Sequence, residues 1–460
     1  MDGDNRNFRG LRVDGDRVLD ADGARIQLRG VGLGGWMNME NFITGYPANE
    51  SGMRASVARV LGADRADRFF DLLLDRFFTS EDAALLASLG VNCVRLPVNY
   101  RHFEREAGFE RLDGAIRACG EHGIYTVIDL HAVPGCQNQH WHSDNPTHVA
   151  AFWEHEHFQD LVVELWQVLA ERHRDNPWVA GYNLLNEPAD SSGEVVGPFY
   201  DRLVAAVRDV DANHILFIDG NTYSTDFTIF SEVYENAIYA CHDYARSGMS
   251  FGGPYPGETQ GVWIDRDAVE ETFLERTRWQ RETGTPLWVG EFGPVYTGDP
   301  ERDEQRYQLL ADQLEIYARH GAGWSIWTYK DVGLQGLVQA APDGAYMARF
   351  GDLVAKKARL GIDSWGSTDA EVPEVVEPLH ELIATEFPSW RPYPWGPRAT
   401  TDDIVRHILL AQAMLPEYAE RFSGLDDAAL EALADSFSLS NCVRRTRLCE
   451  LLATELRAVA

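Results

Sequence analysis

Residues 179–190 read VAGYNLLNEPAD. The run from Val179 to Glu187 predicts a buried strand, yet it closes on Asn186 and Glu187 ahead of Pro188. An unpartnered carboxylate is costly in a low-dielectric interior, so such a Glu is either exposed by chance or held there for chemistry. Seven further runs are of the same kind: Ile26–Val31, Val91–Pro97, Tyr125–His131, Ile215–Gly220, Ala237–Tyr244, Leu287–Glu291 and Gly323–Tyr329. Between them lie longer stretches such as FQDLVVELWQVLAERHR (Phe158–Arg174), with apolar residues at helical spacing and charge on the other side. Short strands alternating with amphipathic helices predict parallel βα units, and eight of them close a (β/α)8 TIM barrel of the α/β class.

The chain has 460 residues, 45% of them hydrophobic, and a barrel needs roughly 250 residues, so one barrel with additions fits. Ahead of the first run, LRVDGDRVLDADGARIQL places Asp-Gly pairs between apolar stretches and predicts an N-terminal β-hairpin that closes the barrel floor. Two long connections, Trp36 to about Thr79 and Lys330 to about Val372, are candidate lids. After residues 1–387, read as the catalytic domain, residues 388–460 read as a proline-rich linker and a C-terminal helical extension. Its apolar row Ile404, Ile408, Leu409, Met414 and Leu415 is expected to pack on the barrel or on a second copy, making a homo-oligomer.

A net charge of -31 argues against nucleic acid and anionic membranes as partners, since like charge repels. No run of about 18 apolar residues predicts a membrane span. The start, MDGDNRNFRG, lacks a basic and apolar leader, so the expected address is cytoplasmic. The six cysteines show no CxxC pair and read as reduced thiols.

In such a barrel the C-terminal strand ends converge on one site. Those ends offer Trp36 and Glu40 after the first strand, Arg95, His131, Asn186 with Glu187, His242 with Tyr244, Glu291, and Trp327. Singly, each has a structural explanation: an ion pair, a core histidine, a packed indole. Their joint occurrence at successive strand ends is what points to a site. Two Glu residues on different strands suit glycoside hydrolysis, in which one carboxylic acid protonates the leaving oxygen while a carboxylate attacks, or activates water at, the anomeric carbon. Arg95 and Tyr244 would keep a carboxylate ionised, Asn186 would bind a sugar hydroxyl, and Trp327 would face a pyranose ring. Glu187 is then expected to be held protonated near neutral pH and Glu291 ionised.

In this order, VNCVRLPVNY, DLHAVPGCQN, NLLNEP, CHDY and WVGEFG resemble glycoside hydrolase family 5, the retaining cellulase-type family, over about Arg29 to Tyr329. The resemblance implies Glu187 as acid/base, Glu291 as nucleophile, and Arg95, His131, Asn186, His242, Tyr244 and Trp327 as the supporting set, with no cofactor and no metal. RGVGLGGWMNMENFIT and HAVPGCQN look most like the exo-β-1,3-glucanase and β-glucosidase branch. That branch implies terminal-sugar contacts from Glu40 and Asn138. It also implies a carbohydrate or glycoside as partner, and exo-action on β-glucosides or short β-glucan oligosaccharides. WTYKDVGLQGL and the C-terminal helices depart from the branch.

Three other readings stand beside this one, and the sequence does not exclude the first. β-Mannosides, β-galactosides or the glucosyl group of a lipid would use the same scaffold. A metal-dependent barrel hydrolase wants His-x-His on its first strand, which is missing here. A non-catalytic sugar-binding barrel is expected to lack one of the two Glu residues. An exo-acting pocket is expected from the long first connection with Phe42, Tyr46, Phe69 and Phe70.

Overall fold

The computed structural model describes residues 8–244, 253–259, 261–363, 365–366 and 372–458. Eight parallel strands close a barrel in chain order: β1 (Arg29–Gly32), β2 (Cys93–Asn99), β3 (Tyr125–Ala132), β4 (Val179–Asn183), β5 (Ile215–Asp219), β6 (Ala237–His242), β7 (Leu287–Phe292) and β8 (Gly323–Ile326). Strands covered on both faces read as continuous apolar runs, which is why all eight are visible in the sequence. Two of them end three or more residues early. The run to Glu187 leaves the ladder after Asn183, and the run to Tyr329 leaves it after Ile326.

The first residues form a three-stranded antiparallel meander, Arg12–Asp14, Arg17–Leu19 and Arg25–Ile26. Leu11 and Val18 pack with Leu28, Val127, Phe217 and Trp288, so this element plugs the N-terminal mouth as expected.

Both long connections carry secondary structure. Residues after β1 form helices Asn41–Thr44, Glu50–Leu61 and Ala63–Phe77. Residues after β8 form the short strands Lys330–Asp331 and Val338–Ala340 and the helix Ala345–Leu360. The C-terminal segment packs on these additions. The Phe69 ring meets Phe422 at 5.1 Å and the Phe77 ring meets Phe437 at 5.7 Å, while Cys442–Arg444 pairs antiparallel with Val338–Ala340. The buried Lys330 ammonium donates to Asp82, to the Phe77 carbonyl and to the Phe437 carbonyl, pinning three separate stretches at one point. Of the expected apolar row, Met414 and Leu415 are buried, but Ile404 and Leu409 are exposed. The segment Ile404–Leu410 is π-helical, so its wider turn breaks the 3.6-residue stripe. No helix among the described residues is long and apolar enough to cross a membrane.

Candidate active site

The C-terminal strand ends bring the two glutamates together: an oxygen of Glu187, one of Glu291 and a nitrogen of His242 all lie within 4.8 Å of one another. Carboxyl groups of retaining glycosidases stand about 5–5.5 Å apart, those of inverting enzymes about 6.5–9.5 Å. The gap here leaves no room for an attacking water between the pair, so the geometry is that of double displacement.

Local backbone explains why strand ends can aim acids inward. β7 carries a register irregularity between Val289 and Glu291 against β6, a bulge that re-aims the side chain. Glu187 sits at φ +46°, a left-handed conformation that costs a non-glycine residue free energy and persists only when neighbours hold it. Its N–H donates to Asp219 Oδ2 (3.0 Å) and its carbonyl accepts from Asn138 Nδ2 (3.0 Å).

Glu291 is held by permanent donors. Arg95, wholly buried, donates to Glu291 Oε1 (2.5 Å), Asn186 Oδ1 (2.6 Å) and Asn183 Oδ1 (2.9 Å), and lies 3.2 Å from Asp129. Burial opposes its charge, but Asp129 and Glu291 outweigh burial and raise its pKa. The Tyr244 hydroxyl donates to Glu291 Oε2 (3.0 Å). Burial and Glu291 push this phenol well above its ordinary value, so it stays a donor. Three ligand-type groups this close could in principle share an ion, but the Arg95 guanidinium already occupies the position of positive charge beside Glu291.

Glu187 lies between imidazoles. His242 Nδ1 is 2.6 Å from Glu187 Oε1, and His142 Nε2 is 3.0 Å from Oε2. Burial alone would push the Glu187 carboxyl up, as expected from the sequence. His242 and His142 outweigh it and hold the carboxyl well below the usual range. His242 shifts the other way: burial opposes its charge, but Glu291 and Glu187 raise its pKa. The proton expected on Glu187 therefore resides in the Glu187–His242 pair, on the imidazole side.

The remaining candidates divide. The His131 ring stacks on Trp327 at 5.5 Å and 6°, and its Nδ1 meets Asp129 Oδ2 at 2.7 Å. Burial opposes the His131 charge, while Asp129 and Glu40 lift its pKa to about 10. Trp327 rests on backbone: a Cβ on Gly32 or Gly34 would lie 2.6 or 2.5 Å from its ring, so the glycines of RGVGLG make its seat. Glu40 is buried, and its Oε1 pairs with His131 Nε2 at 3.4 Å. Burial pushes its carboxyl up to about 7.

Two expectations are corrected. Trp36 does not enter the pocket: the chain turns at Gly35 (φ +78°), and the indole, 1% exposed, donates to the Leu74 carbonyl (3.0 Å) against the outer helices. Asn138, expected on the terminal sugar, spends its side chain on the protein: its amide nitrogen serves His142 (2.8 Å) and the Glu187 carbonyl, and its oxygen accepts from His140 N–H (3.0 Å), so it positions the acid's backbone and neighbour. Of the four aromatic residues expected to line a pocket, only Phe42 reaches the rim, meeting Trp141 at 5.4 Å and Trp365 at 5.7 Å. Trp365 in turn meets Tyr244 at 5.0 Å. Tyr46 and Phe69 pack on Tyr418 and Phe422, and Phe70 lies under Arg54.

Sequence reasoning missed Asp129, Asp219, Asn183 and His142. Asp129 and Asp219 carried a usable signal, being carboxylates on inner strand positions near a C-terminal end. His142, in the aperiodic loop QHWHS, carried none.

Residues 70–333 match the cellulase family, glycosyl hydrolase family 5. A relative named Beta-xylosidase from Phanerodontia chrysosporium is 45% identical, the alignment covering 98% of this chain and 99% of that protein. A probable glucan 1,3-beta-glucosidase A from Neosartorya fischeri is 26% identical over 67% of this chain and 84% of its own. A solved structure of a glycoside hydrolase superimposes with a TM-score of 0.51 at 19% identity, covering 67% of this chain and 90% of that one, and shares the fold. The chain belongs to glycoside hydrolase family 5 and is a retaining β-glycoside hydrolase.

Proposed function

We propose that the enzyme is exo-acting and removes one terminal β-xylosyl or β-glucosyl unit, with Glu291 as nucleophile and Glu187 as acid/base. Glu291 attacks the anomeric carbon, the leaving oxygen takes the proton of the Glu187–His242 pair through Glu187, and a glycosyl ester forms on Glu291. Glu187 then takes a proton from water, which attacks the ester and releases the sugar with its configuration retained. Arg95 and Tyr244 orient the nucleophile, whose charge passes into the new bond as the ester forms and returns to it when the ester is hydrolysed.

The observation that carries exo-action is Glu40. The buried Glu40 carboxylate pairs with His131 at 3.4 Å, and because a carboxylate accepts more than one hydrogen bond, a non-reducing-end sugar offers further hydroxyl donors to it at a position where a longer chain would have to pass. The connection with Phe42 and the contacts to Trp141 and Trp365 build the wall behind that position.

Between the two sugars, xylose is favoured over the glucose expected from the sequence. The relative named for a xylosidase spans 98% of this chain, C-terminal helices included, whereas the glucan glucosidase covers 67%. Assays with nitrophenyl β-xyloside and β-glucoside test the choice: a higher kcat/KM on the xyloside is expected, and a preference for the glucoside restores the sequence-based reading. Digestion of a long oligosaccharide is expected to release monosaccharide only; a ladder of intermediate lengths from the first minutes refutes exo-action.

A further inference from the structure

Outside the sugar pocket, a second group of ligand-type side chains joins two distant parts of the chain. His140 stands in the loop after β3, two residues before His142. Asp403 ends the helix Gly396–Asp403 and His407 lies four residues on, in the π-helical segment Ile404–Leu410. His140 Nε2 is 3.2 Å from Asp403 Oδ2, and His407 Nδ1 is 3.6 Å from Asp403 Oδ1. One ligand atom from each of the three residues lies within 4.8 Å of the other two. The ring of His148 lies 6.4 Å from that of His140.

We propose that His140, Asp403 and His407 bind one divalent ion of the zinc class, with His148 or a water as fourth ligand, and that this ion clamps the C-terminal helices to the loop that places His142 on Glu187.

Spacing supports it. A tetrahedral ion with bonds of about 2.0–2.1 Å sets its ligand atoms about 3.3–3.4 Å apart; His140 and His407 approach the two different oxygens of Asp403 at 3.2 and 3.6 Å, and one ligand atom from each residue lies within 4.8 Å of the others, so a small closure of the side chains would bring the three onto one ion. The donor set is nitrogen and a single carboxylate, which suits zinc and neighbouring transition ions and not calcium or magnesium, which take oxygen. Trp395 and Tyr223 pack on the His140 ring at 5.3 and 5.0 Å, limiting how the ring can turn. A π-helical turn is itself uncommon and tends to mark functional sites. A hydrogen-bonded pair explains His140 on Asp403 without an ion; the convergence of a second imidazole, His407, on the same carboxylate is what the ion explains.

The ion would hold neither reacting carboxylate and take no part in bond cleavage. Its reach to the pocket is through the loop, where the His140 and His142 rings lie 5.8 Å apart.

The test uses the full chain, stripped with a chelator, returned to chelator-free buffer and titrated with zinc chloride. Zinc retained through gel filtration is measured by mass spectrometry, and Tm is followed alongside. One zinc per chain and a Tm that rises with zinc are expected for the wild type. Asp403→Asn and His407→Gln, checked for fold by circular dichroism, are expected to lose both responses. Cobalt is expected to give the strong visible absorption of a tetrahedral site in the wild type and not in Asp403→Asn. Wild-type protein that elutes without zinc overturns the proposal, whatever the variants do, and so do folded variants that retain zinc as the wild type does.

Discussion

The two glutamates lie in one pocket on strand ends of one barrel, yet their surroundings are opposite in kind. Glu291 faces Arg95 and Tyr244, which keep their protons throughout the working pH range. Glu187 faces two imidazoles, His242, whose pKa is raised and which exchanges its proton with the carboxyl, and His142, which burial pushes down. Fixed donors make a carboxylate a stable anion, suited to attack; titratable neighbours make one a proton relay. The residue type is shared, and the role is assigned by the partners.

Removing the nucleophile is the severest way to probe this contrast. Glu291→Ala is expected to lower kcat on the order of 10⁴-fold or more, on good and poor leaving groups alike, because no other group can form the ester. Glu187→Ala sharpens the comparison. Its loss is expected to be about 10²–10⁴-fold on alkyl glycosides, whose leaving oxygen needs a proton, and much smaller in the first step on nitrophenyl glycosides, whose leaving group departs as an anion. An equal loss on both substrate types would break the assignment.

Tyr244→Phe removes one hydrogen bond to a charged group, about 1.5–3 kcal/mol, so kcat/KM is expected to fall roughly 10–100-fold with fold and Tm little changed. The smallest effect is a displacement along the pH axis. The His242 pKa is raised above 6.5, so the Glu187–His242 pair keeps its proton past neutrality and loses it, with activity, as pH rises through the raised value. Taking away one of the pair's two proton sites lowers its affinity for protons. His242→Gln is therefore expected to move the alkaline limb of kcat/KM to lower pH, and an unmoved limb would place the working proton elsewhere.

The barrel was legible because eight buried strands leave eight apolar runs, and the site because acids and imidazoles at their ends are rare in such surroundings. Less was legible where conformation decides. VAGYNLLNEP reads as one strand to Glu187, but the chain leaves the ladder at Asn183 to reach the left-handed turn that aims the carboxyl. Trp36 read as a pocket residue because a turn at Gly35 is invisible in composition. The lid's aromatics read as pocket lining because their partners, Tyr418 and Phe422, lie hundreds of residues away. His142, from an aperiodic loop, could be assigned only in space, and it is the second imidazole that separates the Glu187 environment from that of Glu291.

Azide rescue tests that separation most directly, because it reads both roles from one pair of variants. With an activated aryl glycoside and sodium azide, Glu291→Ala is expected to yield a glycosyl azide of inverted configuration, azide replacing the missing nucleophile from its own face. Glu187→Ala is expected to yield one of retained configuration, azide attacking the ester on Glu291. Nuclear magnetic resonance distinguishes the α and β products. The exchanged pattern, retained from Glu291→Ala and inverted from Glu187→Ala, would contradict the assignment and show that the Arg95 and imidazole environments do not set the roles as argued.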